Sequence, residues 1–515
     1  YEDNRVLYFK PHINQLPYTV EYEYTTRSDA YMTFPSWIPV PAHNVSTCKS
    51  DYTLNIPSGF NVRIKEFNLP EKHITEEEGD SKKIIFRLRD YEALEEEPHS
   101  PGADSYLPFA RLIPRDFQLD KYPGSFESWQ AFGEWVNILL EGRDVLPEEA
   151  IVKIKKQVEG LDTDREKVKA LYEYLQSTTR YISIQLGIGG FQPFSADYVY
   201  SNGYGDCKAL TNYMRSMLKV AGIESYYSLV KAGNSKTEIF RDFPSQQFNH
   251  VILCVPFEKD TLWLECTSQT NPPGYLGFFT DDRYALLIDA DKSHLVRTKS
   301  YTIVENLQNR KATVEIDPET MMLTANVQTR YHGKQFETVN DLVNKSKEDQ
   351  KKDLMKKIDI PDFNVYGFDI EKSHPGVNPE GLINLDLQIE RYISKSGDRF
   401  FLPLNLMNKT SYIPPKLKER KNDLYLGYNY CDTDTIIYTL PEEYMVEYMP
   451  ESISTEYPFG SYSVDIYEEN NKLVFVRQRS MKKGIYDKEL YESLREYYET
   501  VRKGDQLKAL LKKIT

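Results

Sequence analysis

Gly205-Asp206-Cys207-Lys208, followed by Phe248-Asn249-His250-Val251 and Leu264-Glu265-Cys266-Thr267, sets a thiol, an imidazole and a carboxylate in that order along the chain. A thiol at neutral pH is mostly protonated and becomes a strong nucleophile only where a base or a positive field favours the thiolate. The residues after Cys207 supply such a field. Leu210, Met214, Met217, Leu218 and Ala221 recur at helical spacing before the stop signal Gly222, which predicts a helix with Cys207 in its first turn. At that end unpaired backbone N–H groups and the positive end of the dipole stabilise a thiolate. Asp206 reads as the N-cap; its carboxylate opposes a thiolate, so its role is structural.

The two partner segments read as strands. Phe248 to Phe257 is a nearly continuous apolar run broken by Asn249 and His250, and Thr261 to Thr267 is a second run beyond the turn-like Glu258-Lys259-Asp260. An antiparallel hairpin of the two brings His250 near Glu265. The carboxylate then fixes the tautomer that turns the other ring nitrogen toward Cys207, within about 4 Å of the sulfur. Other readings compete residue by residue. A lone Cys207 is more simply a packed thiol, as Cys254 and Cys266 are expected to be. His250 alone reads as a satisfied strand-end histidine, and Glu265 as a solvated acid. The Gly-Asp turn, the helix start and the three segments together favour the nucleophile.

With these segments the chain resembles the transglutaminase-like superfamily, whose core joins a nucleophile helix to a sheet carrying the His and the acid. It is most similar to a bacterial three-part subgroup in which β-domains flank that core on both sides. Further residues carrying the resemblance are Ser128-Trp129, Trp135, Gly189-Gly190-Phe191-Gln192-Pro193, Arg283-Tyr284-Ala285-Leu286-Leu287 and Phe459-Gly460-Ser461-Tyr462. It implies a Cys207–His250–Glu265 triad and, because relatives are commonly exported, a place in the periplasm or cell envelope. One departure stands out. The acid in the superfamily is usually Asp, so the extra methylene of Glu265 has to be absorbed by the backbone.

Acyl chemistry also needs donors for an oxyanion. The backbone N–H of Cys207 is the first candidate, and the side-chain amide of Gln192, between Phe191 and Pro193, is the second. Gln185 and the region of Tyr181 are alternatives, and a Gln192 that pairs only with backbone is the competing reading. Gly187-Ile188-Gly189-Gly190 lacks the Lys and the strand-loop-helix context of a phosphate loop. Its glycines are expected to let the loop approach the Cys207 helix closely.

Composition narrows the function classes. A length of 515 residues implies several domains. The net charge of -14, with no compensating basic stripe, argues against nucleic-acid binding. The five cysteines lack CxxC spacing and the eight histidines lack HxxxH pairs, so neither a disulfide framework nor a metal site is expected, and no cofactor is implied. No apolar run approaches a transmembrane segment, and Tyr1-Glu2-Asp3-Asn4 carries neither an initiator Met nor a signal peptide.

The fold expected is α+β and multidomain. Residues 1–120, with alternating stretches at Tyr18 to Thr26, Phe60 to Phe67 and Lys82 to Asp90, read as an N-terminal β-sandwich. Residues 121–300 hold a helical entry segment, with a capping box at Thr163 to Glu166, and then a transglutaminase-like, papain-like α+β core. Residues 301–515 read as a sandwich-like β-rich domain with helices near 336–357 and 486–502. β-domains on both sides predict that Cys207 lies in a cleft walled partly by one of them.

Two function classes follow. One is a cysteine-nucleophile enzyme acting through a thioester on a peptide, protein or amide substrate. Hydrolysis is favoured over transfer because nothing points to the calcium-dependent acceptor sites of large cross-linking enzymes. The other is a catalytically weak or inactive module that binds a glycan or protein component of the cell envelope.

Overall fold

A computed structural model describes residues 8, 10, 15–27, 31–234, 238–373 and 378–514; Tyr1-Glu2-Asp3-Asn4 lies outside the described residues. Past residue 125 the apolar period changes from strand to helix, and the chain forms helices Trp129–Leu140, Glu148–Val158 and Asp164–Thr178. Ser128 caps the first of these, and Thr163 with Glu166 closes the expected capping box on the third. Their inner faces bury Trp135 and Leu139 on one side and Val168, Leu171 and Leu175 on the other.

These helices and Cys207–Val220 pack on a five-stranded antiparallel sheet in the order Thr261–Leu264, His250–Pro256, Tyr226–Val230, Tyr284–Leu287 and His294–Arg297. The expected hairpin forms, with Cys254 opposite Trp263 and Leu253 opposite Leu264. Alternation along it sends Leu253, Val255, Leu262 and Leu264 against the helices, while Ile252, Cys254 and Trp263 pack on the far face with Val230 and Leu287. Burial on both faces explains the unbroken apolar run. Truncating Leu253 to Ala in such a layer costs about 2–5 kcal/mol. Burial pushes the Cys254 thiol up to about 12 and raises Cys266 as well, so both behave as packing groups.

Toward the N-terminus, strands Thr47–Pro57, Ser81–Tyr91 and Ile74–Glu78 form a three-stranded sheet, and Val62–Phe67 pairs with Phe109–Pro114. Trp37, Phe86, Leu88 and Leu112 lie in the core they share. The stretch Tyr18 to Thr26, expected as a strand, has no ladder partner among the described residues, and Tyr22 and Tyr24 remain exposed. Alternation without a surface to bury against does not make a strand.

Beyond residue 300 the main element is a mixed eight-stranded sheet, in which Leu307–Ile316 runs parallel to Tyr430–Thr439. Helices Glu337–Val343, Lys347–Lys357 and Tyr491–Asp505 fall where helices were expected. Arg477 lies fully buried between Asp434 and Asp505, and Arg310 takes the other oxygen of Asp434. The outer regions also meet each other directly. The Glu97 carboxylate accepts the backbone N–H groups of Lys421 and Asn422 at 2.7 and 2.9 Å. No described helix is long and apolar enough to cross a membrane.

Candidate active site

The turn before Cys207 has to be tight. A Cβ on Gly205 would lie 2.8 Å from that of Ala209, so only glycine brings the chain into the helix on this path. Asp206 then caps the helix, accepting from the N–H of Ala209 at 3.0 Å, and its other oxygen pairs with the buried Lys208 ammonium. Cys207 is the first residue of the helix and is 4% exposed. One turn on, the Thr211 hydroxyl donates to the carbonyl of Val251 at 3.3 Å and ties this helix to the His250 strand.

Strand register explains how the acid reaches the imidazole. Continuing the pairing of Leu253 with Leu264 by one step sets Glu265 opposite Ile252, on the face that carries His250 and diagonal to it. That diagonal is within reach of a long side chain. His250 Nε2 lies 2.9 Å from Glu265 Oε1 and 3.1 Å from Oε2. Cys207 lines the same cavity as His250, and Glu265 occupies Nε2, so Nδ1 is the ring nitrogen left for the sulfur. Glu265 is held in turn by the Thr267 hydroxyl at 2.5 Å and the Thr280 hydroxyl at 3.3 Å, while Tyr172 donates to its backbone carbonyl at 2.8 Å. The ring of Phe279 meets the imidazole edge-on, with centroids 5.1 Å apart.

Burial alone would lower the pKa of His250. The Glu265 charge, the ring's hydrogen bond to that carboxylate and the neighbouring Cys207 outweigh it and raise the imidazole to about 10. Burial likewise pushes Glu265 up, but the neighbouring imidazolium and the hydrogen bonds from His250 and Thr267 leave it below its ordinary value. The pair is therefore an imidazolium and a carboxylate at neutral pH, with positive charge beside the sulfur.

His250 and Glu265 are thus brought together, with Cys207 on the same cavity wall as His250, whereas Gln192 stands apart. Its Oε1 accepts from Arg143 at 2.8 Å and its amide donates to Tyr122 and to the Leu139 carbonyl, so it braces the helix Trp129–Leu140. It is not among the residues lining the cavity at Cys207, and Gln185 is. The glycine loop also departs from expectation: a Cβ at Gly187, Gly189 or Gly190 would meet nothing within 4 Å, so close approach is not their use. Gly187 has a φ of 53°, which favours glycine. Sequence reading assigned no role to Tyr172, Thr267 or Thr280. Thr267 adjoins the acid, but Tyr172 and Thr280 arrive only through tertiary packing.

The cavity at Cys207 has a volume of about 500 Å³, and every residue lining it falls between Phe132 and Val251. Neither flanking region walls it, contrary to the expected interdomain cleft. Each instead holds a loop that reaches it. Phe240 packs against Phe67 with the rings tilted, and Asp242 pairs with Lys65, on the loop that leads to Gln246 and Phe248. Across the site, Asp281 pairs with Lys334 at 2.8 Å, and Glu337 accepts from the N–H of Phe278 at 3.1 Å. Among the described residues no group of three or more His, Cys, Asp or Glu is arranged to hold a metal ion.

Comparison with known proteins agrees with this layout. Residues 152–267 match the transglutaminase-like superfamily, and residues 1–95 and 398–511 each match a domain of unknown function, DUF3857 and DUF3858 respectively. No curated protein matches the chain. A crystal structure from Parabacteroides distasonis, described as a "putative protease", aligns over 94% of this chain and 75% of its own at 13% identity and a TM-score of 0.56, a likeness of fold. Another from Cytophaga hutchinsonii, described as a "putative cysteine protease", covers 51% of this chain and 80% of its own at 12% identity, with a TM-score of 0.22 that carries no structural argument. The chain thus carries a transglutaminase-like superfamily domain flanked by DUF3857 and DUF3858, the three-domain type that its sequence resembles.

Proposed function

We propose that this protein is a cysteine-dependent hydrolase of peptide or amide bonds. The observation that carries the reading is the His250–Glu265 pair at 2.9 Å with His250 and Cys207, the latter at a helix start, on the wall of one cavity. The Cys207 proton already rests on His250 Nδ1, so the sulfur attacks the substrate carbonyl carbon as a thiolate beside the imidazolium, while Glu265 holds Nε2–H. The tetrahedral oxyanion is met by the backbone N–H of Cys207, with the side-chain amide of Gln185 as the second donor. The C–N bond breaks as His250 returns the proton to the leaving amine, giving a thioester. Water then adds to that thioester, His250 taking its proton, and the acid is released with Cys207 restored.

The fold shared with a structure described as a putative protease supports hydrolysis, as does the family of the core. We infer from the sequence resemblance that the substrate is met in the periplasm or cell envelope, which fractionation of the source cells checks. The burial of Cys207 favours one competing reading, a binding module whose thiol does no chemistry. Iodoacetamide separates them. Labelling of Cys207 faster than a free thiol at neutral pH, with peptide-amide turnover that disappears in Cys207→Ala, supports the hydrolase; labelling no faster than a free thiol and no turnover sinks it.

A further inference from the structure

The cavity beside Cys207 has an uneven lining. Helix Trp129–Leu140 contributes Phe132, Trp135 and Val136, and Phe191, Leu229 and Phe248 continue an aromatic and aliphatic wall. This helix precedes residues 152–267, so the wall is added to the transglutaminase-like core from outside the part that matches it. The ammonium of Lys208, which also lines the space, is committed to Asp206, and the Asn249 amide to both backbone groups of Ala232. Neither leaves the cavity with a net charge to offer. Among the described residues that line it, the buried side-chain carbonyl of Gln246 lacks a partner, while its amide donates to the Phe248 carbonyl at 2.9 Å. A buried acceptor without a donor is costly and marks a place where a ligand N–H is welcome.

We propose that this cavity is a specificity pocket for a bulky apolar, preferentially aromatic, side chain next to the scissile carbonyl, with Gln246 Oε1 accepting a backbone N–H of the same peptide. The inference rests on the hydrolase reading of Cys207 and deepens it. A volume of about 500 Å³ lies in the range of small-molecule sites and exceeds what an alanine side chain fills. A substrate lysine would have to bring its ammonium among Phe132, Trp135 and Phe248 with no carboxylate to meet it, since Asp206 is already paired. Selection here is therefore by apolar contact, and a charged side chain is rejected by the cost of stripping its water.

Binding to the full-length Cys207→Ala protein tests the pocket without relying on chemistry. N-acetyl-phenylalaninamide, followed by Trp fluorescence or saturation-transfer NMR, should bind at least about tenfold tighter than N-acetyl-alaninamide, with N-acetyl-lysinamide weakest, as expected from apolar burial. Val136→Phe, which fills the space, should abolish the difference; Leu229→Phe reaches the same space from the sheet should the first variant not fold. Gln246→Leu should weaken the phenylalaninamide several-fold while keeping the order of the three. Equal affinities, a preference for the lysinamide, or a phenylalanine preference that survives in a folded filled variant overturns the pocket. A separate measurement reports on the hydrolase reading. Phenylalanyl and lysyl chloromethyl ketones both failing to label wild-type Cys207 would defeat catalysis, whatever the binding order.

Discussion

Glu265 holds His250 with both oxygens, at 2.9 and 3.1 Å from Nε2, from the diagonal position across the strand pair. In the proposed mechanism the longer side chain spans that diagonal, so that a glutamate stands where the resemblance implies an aspartate. Glu265→Gln keeps the shape but removes the charge that sustains the imidazolium, so kcat/KM should fall by about 10²–10⁴-fold with the fold intact by circular dichroism. Glu265→Asp withdraws the carboxylate by one C–C bond, about 1.5 Å, and should fall between wild type and Gln. An Asp variant as active as wild type would show that the diagonal geometry does not set the rate.

The same pair gives stability a definite pH dependence. Glu265 sits below its ordinary value of 4.5, so its contribution is present above that pH and lost as pH falls through the lowered value. His250 is raised from 6.5 to about 10, so its contribution is full below 6.5 and lost as pH climbs through about 10. Urea midpoints of wild type and Glu265→Gln should therefore differ most between those ordinary values, 4.5 and 6.5, and converge on both sides. A gap that widens toward alkaline pH contradicts the raised imidazole.

Much of the site was legible because its parts are local. The spacing of Leu210, Met214, Met217 and Leu218 reports a helix face whatever it packs against, and Gly205-Asp206 states where that helix begins. His250 and Glu265 were readable because a hairpin converts sequence separation into adjacency. Sequence favoured Gln192 over Gln185, yet Gln185 is the one that lines the cavity, because which amide faces Cys207 depends on the tertiary path of the loop that carries both. The flanking regions were legible as β-rich from alternation. Their role was not, because Phe240 against Phe67 and Asp281 against Lys334 join residues far apart in sequence. Tyr18 to Thr26 shows the opposite failure, a clear local pattern with nothing to pair it.

The buried cluster around Arg477 tests where stability resides. Its guanidinium reaches Asp434 at 2.9 Å and Asp505 at 2.6 Å, and Asn405, Tyr462 and the N–H of Thr410 also donate to Asp505. Arg477→Met leaves two buried carboxylates short of a cation and should cost about 3–5 kcal/mol in urea unfolding. The double variant Arg477→Met/Asp505→Leu should recover part of that loss, because removing both partners spares the stranded charge. No recovery would mean that the polar network around Asp505, rather than the charge, is what the fold requires.

The segment from Gly277 to Asp282, a short helix and the turn after it, joins the site to the C-terminal region. On one side Phe279 meets the His250 ring and Thr280 donates to Glu265. On the other, Asp281 pairs with Lys334, Asp282 with Lys483, and Glu337 accepts from the N–H of Phe278. Burial already lifts Asp281 to about 6, with Lys334 restraining the rise. Lys334→Met therefore leaves a carboxyl that takes up a proton near neutral pH and releases its hold on the flanking region. Thr280 and Phe279 then lose their fixed positions, and a displacement of about 1 Å at a site of this kind costs up to about 10²-fold in rate. We expect kcat to fall by about tenfold or more with KM changed less, because the cavity wall is not touched, and Lys334→Arg to restore most of the rate. A Lys334→Met protein with unchanged kcat would show that the C-terminal region holds this segment without setting the geometry at His250.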